Sequence, residues 1–187
     1  MCTFVTILTV LSSFLANLEQ KTLKSEFTVT VSEEVNAPIN YPGEMTMHGQ
    51  CFKLSMFGIE AAYDGKTLYM YNADVDELTL SNPTEQELLE ANPFLYARAL
   101  VDACNVTEKP SSDGKMTVVT LTPKDLSIGI NRFTLKLRSE DLMPLSVEIK
   151  EGKKTSLLKL KNPDFVSVQP KYELVPEKDT YINDMRL

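Results

Sequence analysis

Two blocks of short alternating segments, separated by a helical stretch, constrain this chain more than any other feature. In "EFTVTVSEE", Phe27, Val29 and Val31 alternate with Glu26, Thr28 and Thr30, the period of a strand with one buried face. "GEMTMHG" repeats the pattern with Met45 and Met47. "QCFKLSMFG" sets Phe52, Leu54 and Met56 opposite Cys51, Lys53 and Ser55. "IEAAYDGKTLYMYN" doubles back through Asp64-Gly65, a pair that predicts a type I′ hairpin turn, and "DELTLSNP" follows. After the helical stretch come "KMTVVTLTP", "NRFTLKLR", "LSVEIKEG" and "TSLLKLKN", and residues 163–187 read as an edge strand and a proline-bearing tail.

Between the blocks, residues 83–104 take helical character. Thr84 with Glu87 offers a capping box, Asn82 before Pro83 an alternative cap, and Asn92-Pro93 divides the stretch into two short helices. The first twenty residues, "MCTFVTILTVLSSFLANLEQ", place Phe4, Ile7, Leu8, Leu11, Leu15 and Leu18 on one stripe at helical spacing. They resemble a secretory leader too, but no Lys or Arg precedes Lys21. The expectation is an amphipathic helix over 1–23, any export signal having been removed or lying upstream. Strands in consecutive blocks, with helices grouped and no βαβ alternation, give an α+β class. One domain over 1–187 follows: a strongly curved antiparallel sheet of about eleven strands with about three helices across one face.

The 187 residues carry a formal charge of −7 with acids and bases interspersed, which argues against a nucleic-acid partner. No segment reaches the roughly 18 uncharged apolar residues of a membrane-spanning helix. Cys2, Cys51 and Cys104 have neither a framework count nor zinc spacing. A Cys51–Cys104 bridge and two small buried hydrophobes are both open readings.

Chemistry-bearing residues are sparse. His48 is the only histidine, and Cys51 lies near it without the third group a nucleophilic dyad needs. Asp74, Asp76 and Glu77 lack the spacing and glycine of a calcium loop and read as a solvated hairpin tip. The Asn105-Val106-Thr107 sequon is too short a pattern to carry weight. No catalytic residue, metal site or cofactor is expected. Met45, Met47, Met56 and Met70 all fall on strands, where β-branched residues are usual. Two readings stand: plain core packing, or a soft apolar cavity between sheet and helices. The strand "TLYMY", apolar on both faces, adds the same question.

Read in order, "DGKTLYMYNADVDELTL", "NPFLYARAL", "VVTLTPK" and "FTLKL" resemble the periplasmic lipoprotein carriers of the LolA type. Asp64, Gly65, Lys66, Thr67, Leu68, Tyr71, Asn72, Pro93, Phe94, Ala97, Arg98, Leu121, Thr122, Pro123 and Lys124 match in sequence. "LKSEFTVTV" and the closing "YINDMRL" are similar to that family's first and last strands. The resemblance implies an incomplete antiparallel β-barrel under a helical lid, and a non-enzymatic, monomeric carrier of acylated lipoproteins or lipid. It implies passage from an inner-membrane lipoprotein-release transporter to an outer-membrane acceptor, hence a periplasmic location. It equally admits a module for another lipid or amphiphile, or a sensor of mislocalised lipoproteins. Phe27, Val29, Val31, Met45, Met47, Phe52, Leu54 and Met56 are then candidates for the apolar sheet face, and Leu88, Leu89, Phe94 and Leu95 for the lid. In two places the sequence departs from the family. "MHGQCF" offers His48 or Gln50 where the well-known carriers have a lid-tying arginine, and Tyr69 stands where they have tryptophan.

Overall fold

The helix α1 (Val10–Gln20) touches strand β1 (Thr22–Glu33), strand β2 (Asn36–His48) and the distant strand β8 (Met116–Pro123). Those contacts dictate the shape of the sheet. In hydrogen-bonded order β2 and β8 are separated by β1, β11 (Lys154–Val166), β10 (Pro144–Glu151) and β9 (Arg132–Arg138). At about 4.8 Å per strand a flat sheet would hold them more than 20 Å apart, about twice the width of a helix. The sheet must therefore wrap around α1. This computed structural model describes residues 9–34, 36–168 and 170–186, so Cys2, Phe4, Ile7 and Leu8 lie outside the described residues.

The remaining strands are β3 (Cys51–Met56), β4 (Ile59–Tyr63), β5 (Leu68–Asn72), β6 (Glu77–Ser81), β7 (Cys104–Pro110) and β12 (Tyr181–Asp184). The twelve form one sheet, ordered β12-β6-β5-β4-β3-β2-β1-β11-β10-β9-β8-β7. Every neighbouring pair is antiparallel except β12 on β6. Among the described residues β12 and β7 are the two edges, so the barrel is unclosed. The expected architecture stands, with twelve strands where the sequence suggested about eleven.

Local chemistry accounts for the breaks. Thr84 caps α2 (Glu85–Ala91) through a complete capping box with Glu87, and Asn92 caps α3 (Pro93–Leu100) by accepting from the N–H groups of Phe94 and Leu95. The Asp64-Gly65 hairpin is real but not a type I′ turn, because only Gly65 adopts positive φ. Asp64 instead accepts the N–H groups of Lys66 and Thr67 within a four-residue loop. The two-residue turn with both residues left-handed is Phe57-Gly58, at φ 58° and 69°. β2 also begins earlier than its methionines suggest. Its first half pairs with β1 alone, and Pro38 and Pro42 lie there, where one side of the strand needs no donor.

The double-faced strand β5 is now explained. Leu68 faces the main core with Tyr63 and Ala61, while Tyr69 and Tyr71 face outward against a second cluster of Ala62, Leu78, Leu80 and Leu174. Leu174 belongs to the C-terminal tail, which crosses the outer side of β4–β6.

Candidate functional site

Register places the sheet-face candidates together. Met45 lies opposite Leu54 and Met47 opposite Phe52, while Phe27, Val29 and Val31 share the same side of β1. Phe27, Met45, Met47 and Phe52 are buried; Val29, Val31, Leu54 and Met56 are half-buried. The inner face therefore has two parts.

One part is covered. Leu11, Phe14, Leu15 and Leu18 of α1 and Phe94, Ala97 and Leu100 of α3 pack into a continuous core with the sheet. Phe14 meets Phe94 edge-on at 5.3 Å between ring centroids, and Tyr96 meets Phe133 at 6.3 Å. Phe14, Phe52 and Phe133 are fully buried. The helices are seated and side chains fill the space beneath them.

The other part is open. Beyond Phe27 the inner face continues along Val29, Val31, Tyr41, Met56 and Met70, and Met70 is 44% exposed. Ile39 at 52% and Phe57 at 57% form its rim, where Phe57 stacks edge-on against Tyr41 at 4.7 Å. Val29 and Met56 still pack against the core, so this exposed apolar stretch grades into the covered part. Gly43 sits at its inner end because the Phe27 ring lies over it: an added Cβ would come within 2.5 Å of that ring.

Of the lid candidates, Phe94 is a core residue and Leu88 packs against the core from α2. Leu89 and Leu95 are half-buried and fall outside the core cluster. Sequence reasoning missed Phe14, Tyr41 and Phe57. Phe14 was legible, since it falls three residues after Leu11 on the same helical stripe. Phe57 follows the last alternating residue of β3, in a turn that the sequence marks only by Gly58.

Polar ties hold α1 in place. Glu108 on the edge strand β7 accepts from Val10 N–H at 3.0 Å and from Leu11 N–H at 2.8 Å, meeting the positive end of the helix. Arg98 of α3 pairs with Glu19 at 2.5 Å, and Gly49 N–H donates to the Leu18 carbonyl at 2.7 Å. The stretch that lacks the family's arginine thus still holds a helix, through its backbone.

Two cavities lie on the other side of the sheet. One, of about 360 Å³, is bordered by Lys24, Glu26, Glu44, Lys53 and Asp164; the other, of about 190 Å³, runs under the tail beside Tyr71 and Leu174. The first sets charges of both signs beside Met45, Leu54 and Val166.

His48 and Cys51 are direct cross-strand partners on that outer side. His48 Nδ1 is 3.4 Å from Thr22 Oγ1. Burial, together with the charges of Asp64 and Glu19, pushes the Cys51 thiol up, opposite to what an attacking thiolate requires. Cys51 and Cys104 are both free thiols, so no bridge joins them. Among the described residues, no group of three or more His, Cys, Asp or Glu could hold a metal ion, and no helix is long and apolar enough to cross a membrane.

A seated helical lid on a wrapped, unclosed antiparallel sheet is the geometry with which known proteins can be compared. The family model for the outer membrane lipoprotein carrier protein LolA matches residues 10–171. The chain belongs to the LolA family. An uncharacterized conserved protein from Thermus thermophilus superposes with TM-score 0.61 at 10% identity, covering 93% of this chain and 96% of that one. A chain of the Pseudomonas aeruginosa MucA/MucB complex superposes with TM-score 0.52 at 14% identity over 87% of this chain, which spans 58% of that one's length. At such identities these likenesses show the LolA-like fold alone. A search of curated proteins found no significant match.

Proposed function

We propose that this chain is a non-enzymatic periplasmic carrier that takes up the acyl chains of lipoproteins along its inner sheet face and delivers them toward the outer membrane. The observation that carries this reading is the half-covered inner face: an apolar stretch, exposed at Ile39 and Phe57, runs on to the part of the same surface that the helices cover.

The energies suit capture and release. An acyl chain gains roughly 0.8 kcal/mol per CH₂ removed from water, so a dozen methylenes represent about 10 kcal/mol. Lifting α1 would expose Leu11, Phe14, Leu15 and Leu18, at about 1.5–3 kcal/mol each, or roughly 6–12 kcal/mol together. The chain and the helix compete for one surface at similar strength, so neither holds it irreversibly. Met45, Met47 and Met56 give that surface a deformable lining. In this reading Leu88 and Phe94 move with the lid. An inner-membrane lipoprotein-release transporter and an outer-membrane acceptor are the partners at either end of the route.

Native mass spectrometry of the protein taken from its own envelope fraction tests this. A bound acylated protein, lost on organic extraction, is the expected result. A bound free lipid of lower mass would instead assign that stretch to another amphiphile. No bound apolar mass, with no shift on adding a triacylated lipopeptide, would make the inner face ordinary core.

A further inference from the structure

The cavity of about 360 Å³ on the outer side of the sheet is framed by two rows of polar side chains. In the first row Lys24 of β1, Thr46 of β2 and Lys53 of β3 stand side by side, each the register partner of the next. In the second row Glu26, Glu44 and Ser55 do the same. Neighbouring strands lie about 4.8 Å apart and alternate residues of one strand about 7 Å apart. The two lysines therefore flank Thr46 across about 10 Å, and the carboxylates lie one step along the strands.

β11 supplies the wall. Two of its residues, Asn162 and Pro163, stand opposite the single Ser25, and Asn162 takes the left-handed backbone of a bulge at φ 51°. The buried Ser25 hydroxyl braces that bulge by donating to the Lys161 carbonyl at 3.0 Å. Val166 borders the same cavity, half-buried.

The charges in the two rows are unevenly matched. Glu26 and Glu44 lie directly opposite each other on β1 and β2, a placement of like charges that costs the sheet free energy. Lys161 answers Glu26 at 2.8 Å. Among the described residues, the side chains of Lys24, Thr46 and Glu44 have no hydrogen bond or ion pair, and Asp164 makes none with Lys24 opposite it. Lys53 holds Glu60 at 3.5 Å, with both side chains more than 40% exposed, a tie that solvent already weakens. The cavity thus offers an anion two lysines and a hydroxyl, and offers a cation an uncompensated carboxylate one step away.

We propose that this cavity binds a phosphate ester carrying a primary amine, of the phosphoethanolamine kind, with its phosphate between Lys24 and Lys53 and its ammonium on Glu44. Lysines act on phosphate as point charges, and a tetrahedral anion can meet both of them and the Thr46 hydroxyl at once. An α-amino acid carries both charges on one carbon and does not span the two rows. A primary ammonium donates N–H groups to a carboxylate, whereas a quaternary ammonium is recognised by aromatic faces, and no aromatic residue borders this cavity among the described residues. The site lies on the opposite side of the sheet from the acyl-binding face, so it stands or falls separately from the carrier reading.

The test titrates the full ¹⁵N-labelled chain with phosphoethanolamine, phosphocholine, inorganic phosphate and dihexanoyl phosphatidylethanolamine below its micelle concentration. Saturable amide shifts at Lys24, Glu44, Thr46 and Lys53 are expected with phosphoethanolamine, with phosphocholine and phosphate binding about tenfold more weakly for want of the charged hydrogen bond to Glu44. Glu44→Gln should bring phosphoethanolamine down to the level of phosphocholine, and Lys24→Gln should weaken both. Both side chains are exposed, so neither change threatens the fold. Equal affinity for the lipid and the soluble headgroup assigns the site to the headgroup alone; tighter lipid binding with an added shift at Val166 assigns it to the lipid. No saturable shift in the two rows overturns the proposal, as does equal binding of phosphocholine. Lipid shifts confined to Met56 and Met70 on the inner face, with none from the soluble headgroup, would overturn it while leaving the carrier reading intact.

Discussion

The Glu108 carboxylate accepts a 2.8 Å hydrogen bond from the backbone N–H of Leu11 and so ties the N-terminus of α1 to the outermost strand of the sheet. Its other oxygen takes the N–H of Val10. Beside the Thr9 N-cap, which accepts from Ser12 N–H, this one side chain satisfies two more N–H groups of the helix and fixes one end of the seated lid. Glu108→Ala should lower unfolding stability by about 1–2 kcal/mol, the usual worth of a cap with a favourable charge. Denaturant midpoints with an unchanged slope would show this, and amide exchange in α1 should quicken ahead of exchange in β1.

Arg98 and Glu19 form the second tie, but both side chains are more than 40% exposed. Solvent screens such a pair, so Arg98→Ala should move global stability by less than about 1 kcal/mol. A double-mutant cycle with Glu19→Ala isolates the pair. A coupling energy well above that range would mean the pair is a principal lock of the lid.

Gly43 offers a sharper test of the inner face. A Cβ there would lie 2.5 Å from both the Phe27 ring and the Ser55 carbonyl oxygen, and the backbone oxygen has little freedom to yield. Gly43→Ala should cost about 1–3 kcal/mol in thermal or denaturant unfolding. An unchanged midpoint would show that Phe27 does not lie against this strand.

How far the sequence foretold this molecule depended on whether the signal was local. The alternation in "EFTVTV" and "CFKLSM" marked the inner face, because a period of two is decided residue by residue. The Thr84–Glu87 box was equally local. What escaped were features set by distant contacts. The strand read from "GEMTMHG" starts earlier, at Asn36, and β2 runs through Pro38 and Pro42 because only β1 flanks that half. Glu108 looked like any strand glutamate, and its role depends on a helix nearly a hundred residues earlier. Asp64-Gly65 suggested the wrong turn because the Asp64 side chain, by collecting two N–H groups, builds a longer loop. The Cys51–Cys104 question could be answered only by three-dimensional distance.

Acid should break a local tie at the end of the C-terminal strand in a defined window. Hydrogen bonds from Arg186 hold the Asp184 carboxyl down to about 2, from an ordinary value of 3.8. A carboxyl depressed in the folded chain supports the fold above its unfolded value and loses that support as pH falls through its folded value. The bonds between Asp184 and Arg186 should therefore persist through pH 4 and fade toward pH 2. Amide chemical shifts of these residues followed against pH would show it, and Arg186→Gln should bring the midpoint back toward the ordinary value.

The central claim is that acyl chains enter along the exposed apolar stretch and reach the surface beneath the helices. Selective ¹³C-methyl labelling of the eight methionines places probes along that route. Met56 and Met70 lie along that stretch, Met45 and Met47 lie beneath the helices, and Met185 is exposed on the tail. A lipopeptide with a spin label on its acyl chain should broaden Met56 and Met70 at low occupancy and Met45 and Met47 as occupancy rises, leaving Met185 sharp. Uniform broadening, or broadening at Met185 with Met56 and Met70 unaffected, would contradict it.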